Sequence, residues 1–176
     1  MRDTEKRNWA PVLSLLGAVV LLAADQATKR WALATLKPAN APMTIIDSLL
    51  EFFYVENRGM AFGLLQNKIW FVLPVTVVLS AVILILLFRY QSHSFLSYAA
   101  GALLLSGAVG NLLDRLFYGY VVDFIHVLFF PYIFNFADCC ITVGAVLLVL
   151  HFLFFAEQKS PPPLRHAQGK TPEEKP

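Results

Sequence analysis

Residues 106–138 read SGAVGNLLDRLFYGYVVDFIHVLFFPYIFNFAD. Three aspartates, Asp114, Asp123 and Asp138, stand in this otherwise apolar and aromatic stretch, with Arg115, Asn111 and Asn135 beside them. The surroundings have the character of a membrane span, where a central carboxylate costs about 3 kcal/mol to insert. Acids retained against that cost usually bind or react.

The runs on either side set the architecture. Phe95–Leu113 is uncharged for 19 residues and Cys139–Ala156 for 18, while upstream Ile69–Phe88 supplies 20 and Trp9–Ala24 supplies 16. Each approaches the roughly 20 residues that cross about 30 Å of hydrocarbon, and Pro74 falls early in its run, where a kink is tolerated. The basic start and the Ala-Ala before Asp25 also fit a cleaved signal peptide. The residues that follow, DQATKRWALATL, continue as helix, so the run is read as a retained span. Leu116–Ala137 is apolar enough for a fifth span, but Gly119, Asp123 and Pro131 interrupt it. Four spans place eight basic residues on one side (those of the two tails and Arg89) and six on the other. That bias puts both termini in the cytoplasm.

The expected fold is an all-α integral membrane protein with four transmembrane helices, a small β-layer, and an extra short helix or loop on the outer face. Spans fall near 9–30, 69–88, 95–114 and 138–156, with outer loops 31–68 and 115–137. Within 43–66 the segment LEFFYVENRGMAFGLL is rich in aromatic and β-branched residues, which suits strands, with Asn57-Arg58-Gly59 as a turn or bulge between two of them. Residues 1–156 form one domain, and the Pro-rich 157–176 reads as a disordered cytoplasmic tail. Under this topology Asp25, Asn111, Asp114 and Asp138 all lie at span ends on the outer face, together with both long loops. Residues distant in sequence converge on one membrane surface.

Composition closes off other classes. The chain is 57% hydrophobic with a net charge of only +2, and no basic patch interleaved with aromatics suggests nucleic acid. Cys139 and Cys140 are adjacent, a poor geometry for a disulfide. The four histidines lack H-E-x-x-H spacing and fall on different sides of the membrane, so neither metal nor cofactor is expected. No G-x-S-x-G or phosphate-loop pattern occurs.

Within the stretch, Asn111, Asp114 and Arg115 share a helix face at i, i+3 and i+4, and Ser106, Gly107 and Gly110 are small enough to admit another helix. Arg115, adjacent in sequence, is the expected partner that keeps Asp114 ionised, or else a ligand for a substrate carbonyl. Asp25 and Lys29, spaced i, i+4, fit a structural ion pair or support for a neighbouring site. Asp123 and Asp138 have no Lys or Arg nearby in sequence. If folding joins them, one pKa rises and the two share a proton, the logic of an aspartic protease; if it does not, they are two solvated interfacial acids. His126 lies one turn from Asp123 if that segment is helical. The asparagines Asn57, Asn111 and Asn135 are candidate donors to a peptide backbone or oxyanion. A small transporter or proton-relay protein using the same acids is the competing reading.

Five blocks taken together, DQATK at 25–29, NRGMAF at 57–62, SGAVGNLLDR at 106–115, VVDFI at 121–125 and FNFAD at 134–138, resemble lipoprotein signal peptidase (signal peptidase II). The resemblance spans most of residues 10–156. It departs from the family's usual pattern at Ser106, where Gly is common, and at Met60, where Ala is common. It implies a bacterial aspartic endopeptidase of the inner membrane, with its active site at the outer (periplasmic) face. Such an enzyme cleaves prolipoproteins just before a diacylglyceryl-modified cysteine. The catalytic pair would be Asp123 and Asp138, with Asp25, Lys29, Asn57, Gly110, Asn111, Asp114, Arg115 and Asn135 in supporting positions. The implied partners are the lipid-modified prolipoprotein and membrane lipids; no nucleic acid, no metal and no cofactor are called for, and a monomer is expected.

Overall fold

The computed structural model describes residues 9–59, 69–89 and 94–155. Helix α1 spans Ala10–Ala39, strands β1 and β2 Met43–Ile46 and Leu50–Asn57, and helices α2 and α3 Ile69–Arg89 and Phe95–Tyr118. Strands β3 (Val121–Val127) and β4 (Ile133–Phe134) and helix α4 (Phe136–Phe155) complete it. Among the described residues, α1, α3 and α4 are long and apolar enough to cross a membrane, and α2 contributes a shorter apolar stretch, Leu73–Arg89. Met60, the remainder of the 43–66 segment, the N-terminal basic residues and the tail at 157–176 lie outside the described residues.

Helix α3 is the centre of the bundle and packs against α1, α2 and α4. Its glycines set how close the neighbours come. A Cβ on Gly107 would sit 2.5 Å from the Ala137 carbonyl oxygen and 2.7 Å from Ile141, distances that only glycine permits where two backbones touch. The small residues read from the sequence therefore meet α4 at Gly107 and both α1 and α4 at Gly110. Apolar side chains such as Val19, Val20, Val78, Ile85, Val146 and Phe154 face outward from all sides of the bundle, the arrangement of a protein whose solvent is lipid.

Two element boundaries differ from the sequence reading. Helix α1 runs on to Ala39 rather than yielding to a loop at 31, because Ala32 and Leu36 continue a buried face that packs on Val122 and Phe124. Asn40, left-handed at φ 46°, ends it. Helix α3 likewise extends past Asp114 to Tyr118 and stops at Gly119, φ 78°, a left-handed cap that glycine adopts without strain.

Residues 121–127, expected as a loop or short helix, form one of the two inner strands of a four-stranded antiparallel sheet in the order β1-β2-β3-β4. The sequence V-V-D-F then makes sense as period-two alternation. Val122 and Phe124 turn toward α1, and Val121 and Asp123 toward a cavity on the other side. Trp31, Phe52 and Phe124 meet edge-to-face at centroid distances of 5.6–6.2 Å, fastening the sheet to α1. The turn joining β1 to β2 comes at 47–49, with Ser48 at φ 59°; Asn57-Arg58-Gly59 begins at the last residue of β2, and the segment expected to follow it as a second strand lies outside the described residues. His126 is correspondingly paired across the strands with Glu51 at 2.8 Å and points away from Asp123's face.

Candidate active site

One buried cation organises the upper end of the bundle. Lys29 Nζ lies 3.0 Å from Asp25 Oδ2, 3.0 Å from Asp114 Oδ2 and 2.9 Å from Asn111 Oδ1. Three ammonium protons meet three acceptors, and the lysine is 1% exposed. The sequence assigned Arg115 to Asp114; the structure assigns Lys29. Arg115 points along its helix to the mouth of the cavity, donating to the Gly59 carbonyl at 2.9 Å and the Asn111 carbonyl at 3.2 Å. Adjacent residues on a helix diverge by about 100°, so sequence neighbours seldom pair.

Each acid bound to Lys29 has a second engagement. Asp25 Oδ1 accepts from the Ala137 N–H at 3.0 Å, and Asp114 Oδ2 accepts from the Val122 N–H at 3.0 Å. Ala137 immediately precedes Asp138, and Val122 immediately precedes Asp123. The ion cluster thus grips the backbone one residue before each of the other two aspartates. Gly110 is part of the same contact, since a Cβ there would strike the Asp25 carboxylate and come 3.5 Å from Ala137 Cβ.

Asn135 joins those two aspartates. Its Nδ2 donates to Asp123 Oδ1 at 2.6 Å and to Asn111 Oδ1 at 3.2 Å. Its Oδ1 accepts from the Asp138 N–H at 3.0 Å, and Asp138 Oδ2 accepts from the Asn135 N–H at 3.2 Å. This reciprocal pair is a capping box at the start of α4, so one local device both begins the helix and orients the Asp138 carboxylate. Asn111 Nδ2 donates to Asp138 Oδ1 at 2.8 Å, and Asn57 Nδ2 to Asp123 Oδ2 at 2.8 Å. All three asparagines singled out in the sequence converge, each donating to one of the two carboxylates.

Asp123 and Asp138 both line a cavity of about 900 Å³ that reaches Ile141 and Val143 along α4, Phe134 in β4 and Tyr132 just before it. Asp123 is 1% exposed. Burial, and then the charge of Asp138, push its carboxyl up to about 7, against the opposing hydrogen bonds from Asn57 and Asn135 and the charge of Lys29. A carboxyl brought this close to neutrality can hold or release a proton near pH 7.

Gln26 is a further member of the cluster, not singled out in the sequence. Its Nε2 reaches Asp25 at 3.1 Å, Asp114 at 3.2 Å and the Gly110 carbonyl at 3.4 Å, bridging α1 and α3 beside Lys29. Its place next to Asp25 in DQATK was the available signal. Also missed was a cluster at the cavity rim. Glu56 receives Arg58 at 2.9 Å and Lys37 at 3.1 Å, and Tyr54 and Tyr120 lie alongside. Arg58 and then Lys37 hold the Glu56 carboxyl down at about 2. Cys139 and Cys140 are free thiols. Among the described residues no three His, Cys, Asp or Glu side chains gather into a metal-binding group.

The family model for signal peptidase (SPase) II matches residues 17–154, the span from mid-α1 to the end of α4. The chain belongs to the signal peptidase II family. It is similar to the lipoprotein signal peptidases of Caldanaerobacter subterraneus (44% identity, 74% of this chain and 88% of the relative), Symbiobacterium thermophilum (40%, 84% and 98%) and Clostridioides difficile (39%, 85% and 99%). Two solved structures, bacterial membrane enzymes determined by the in meso method at 2.3 and 1.9 Å, superpose with TM-scores of 0.76 and 0.72 at 30% and 31% identity. They cover 85% and 81% of this chain, and 93% of each solved chain is matched. Signal peptidase II membership makes the chain a bacterial membrane peptidase of lipoprotein processing. The transporter reading gives way to that assignment.

Proposed function

We propose that this member of the family cleaves the signal peptide from diacylglyceryl-modified prolipoproteins just before the lipidated cysteine, with Asp123 and Asp138 as the catalytic pair. The observation that carries the assignment is that, of the four aspartates around the site, two are ion-paired to one lysine and two are not. Asp25 and Asp114 flank Lys29; Asp123 and Asp138 face the cavity and share Asn135.

Two carboxyls in this setting retain one proton between them. The ionised member takes a proton from water as the water oxygen attacks the scissile carbonyl carbon, and the protonated member gives its proton to the carbonyl oxygen. In the resulting tetrahedral diol the roles reverse. A proton passes to the amide nitrogen, the C–N bond breaks, and the new carboxyl and amine depart with the pair restored to one proton. Asn57, Asn111 and Asn135 keep the two carboxyls at fixed angles throughout, and the cluster of Asp25, Lys29, Asp114 and Gln26 anchors their backbones. Arg115 shapes the mouth of the cavity through Gly59.

The apolar reach of the cavity along Ile141 and Val143 suits acyl chains, while its polar end holds the acids at the bundle's end, where a scissile bond meets water. We read α2 as the fourth span: 21 residues extend about 31 Å at 1.5 Å per residue, and outward-facing Phe71, Val78 and Ile85 suit lipid. Four spans place both termini in the cytoplasm and the acids at the outer face of the inner membrane. Both carboxyls come from one chain, so a monomer suffices.

The test is cleavage of a diacylglyceryl-modified prolipoprotein peptide by the Asp123→Asn and Asp138→Asn variants in detergent. Each should lose roughly 10²–10⁴-fold in turnover, the worth of a positioned acid or base. Wild-type turnover in either variant refutes the pair, and strong inhibition by a chelator would point to a metal mechanism.

A further inference from the structure

The cavity rim carries a charged cluster that the chemistry above does not use. Along β2 the side chains alternate: Asn57 reaches Asp123, and its neighbour Glu56 turns to the opposite side, toward the C-terminal end of α1 and the start of β3. There Glu56 Oε1 accepts from Lys37 Nζ at 3.1 Å and from Tyr54 Oη at 3.3 Å, and its Oε2 accepts from Arg58 Nη2 at 2.9 Å. The Arg58 guanidinium lies 5.5 Å from the Tyr120 ring centre, and Lys37 lies 5.3 and 5.8 Å from those of Tyr54 and Tyr120. Tyr54 Oη and Tyr120 Oη are 3.2 Å apart.

These contacts bracket Asn57 on both sides. Residue 56 is tied to α1 through Lys37, and residue 58 is tied back to residue 56 and onto Tyr120. Between them, Asn57 Oδ1 accepts from the Gly59 N–H at 2.9 Å, leaving Nδ2 to face Asp123. The Gly59 carbonyl then receives Arg115. The backbone pairing supports this less firmly: the β2–β3 register shifts between Phe52 and Val55, and Asn57 opposite Val121 is the last pair of the ladder. A strand end beyond an irregular register depends on side chains for its position.

We infer that Glu56, clamped between Lys37 and Arg58, is a positioning residue that holds the Asn57 amide against Asp123. The inference rests on Asp123 being catalytic. The ion pairs themselves are partly exposed (Lys37 46%, Arg58 60%, Glu56 29%), and such pairs add little to global stability. Their consequence is local: a small displacement of a group aligned on the reacting centre lowers the rate far more than it loosens the fold. Weakening the Asn57 hydrogen bond also removes a contact that favours the ionised Asp123. In Asn57→Ala every charged group around Asp123 (Asp138 from α4, Lys29 and Lys37 from α1, Arg115 from α3, and Glu56 and Arg58 at the rim) remains, so the shift in that variant is toward higher pH; Glu56→Gln also removes a carboxylate, which acts in the opposite direction.

The experiment compares wild type, Glu56→Gln, Glu56→Asp, Asn57→Ala and the Glu56→Gln/Asn57→Ala double variant in detergent, on the lipopeptide substrate. The expected result for Glu56→Gln is a fall in kcat on the order of 10-fold with KM and thermal midpoint near wild type. The high-pH limb of Asn57→Ala moves to higher pH, Glu56→Asp recovers part of the Glu56→Gln loss, and the double variant is no slower than Asn57→Ala. Additive losses in the double variant, an unmoved pH limb in Asn57→Ala, or a loss seen only as a lowered thermal midpoint would overturn the inference. The Asp123→Asn control separates the premises: activity in that variant sinks the catalytic pair, whereas its inactivity beside a fully active Glu56→Gln sinks the positioning role alone.

Discussion

Replacing Asp123 by asparagine should abolish cleavage and at the same time make the folded protein more resistant to high pH than the wild type. The wild-type carboxyl is almost wholly out of water and is pushed up to about 7 by burial, against an ordinary 3.8. The folded state therefore binds this proton more tightly than the unfolded chain. Its contribution is fully present below about pH 4 and is lost progressively as pH rises to about 7, because in that window only the unfolded chain gives the proton up freely. The gap between 3.8 and about 7, at 1.36 kcal/mol per pH unit, amounts to about 4 kcal/mol. Asparagine does not titrate and lacks this slope. Its own drawback is nearly independent of pH: one of the two donors, Asn57 Nδ2 or Asn135 Nδ2, meets an NH₂ instead of an oxygen, at roughly 1–3 kcal/mol. Between pH 5 and pH 8.5 only the part of that gap above pH 5 is crossed, about 2.7 kcal/mol. Measured as thermal unfolding by tryptophan fluorescence in detergent near those two pH values, the midpoint difference between variant and wild type should swing toward the variant by roughly 5–10 °C, taking roughly 2–4 °C per kcal/mol for a chain of this size. Parallel midpoints across that range would refute the argument, since they would mean that Asp123 is hydrated or already ionised in the fold.

Three further outcomes follow from the same geometry. Peptidase activity should decline as pH rises through about 7, where the shared proton is lost from the pair; a rate still climbing at pH 9 in a pH–kcat series would contradict that. Lys29→Met leaves Asp25 and Asp114 buried without their cation and should destabilise the fold by about 3–5 kcal/mol, partly recovered in Lys29→Met/Asp25→Asn, as read by denaturant or thermal unfolding. Gly110→Ala drives a methyl against the Asp25 carboxylate and should cost about 1–3 kcal/mol, with a fall in activity because Asp25 must leave the Ala137 N–H; unchanged stability would show that α1 and α3 can part freely.

Much of the fold was legible because helices and apolar spans are written locally. Uncharged runs marked α2, α3 and α4 to within a few residues, and the small residues around Gly107 correctly announced a close helix contact. The sheet was half visible. Aromatic and β-branched residues in 43–57 pointed to strands, but VVDFIHV was read as loop because its alternation has two buried faces, one against α1 and one toward the cavity. A strand apolar on both sides leaves no polar–apolar rhythm to detect. The start of the outer segment was also misplaced, since Ala32 and Leu36 prolong α1 only because β3 is there to cover them.

The polar residues divide along the same line. The sequence by itself determined which groups had to be reckoned with: ten side chains or glycines, set in apolar surroundings at span ends, which the topology gathers at one end of the bundle. It also marked Asp123 and Asp138 as acids with no cation beside them in the chain. Only the tertiary structure decided the partners. Lys29 meets Asp114 across 85 positions, Asp25 meets the Ala137 N–H across 112, and Arg115 turns from its sequence neighbour to Gly59, 56 positions away. Buried charges and N–H groups must be satisfied by whatever lies within about 3 Å, and in a bundle that distance is set by which helix faces cross rather than by separation along the chain. The stretch 106–138 named the acids; the packing of α1 against α3 and α4 chose that Asp114 is ion-paired and that Asp123 and Asp138 are left facing the cavity.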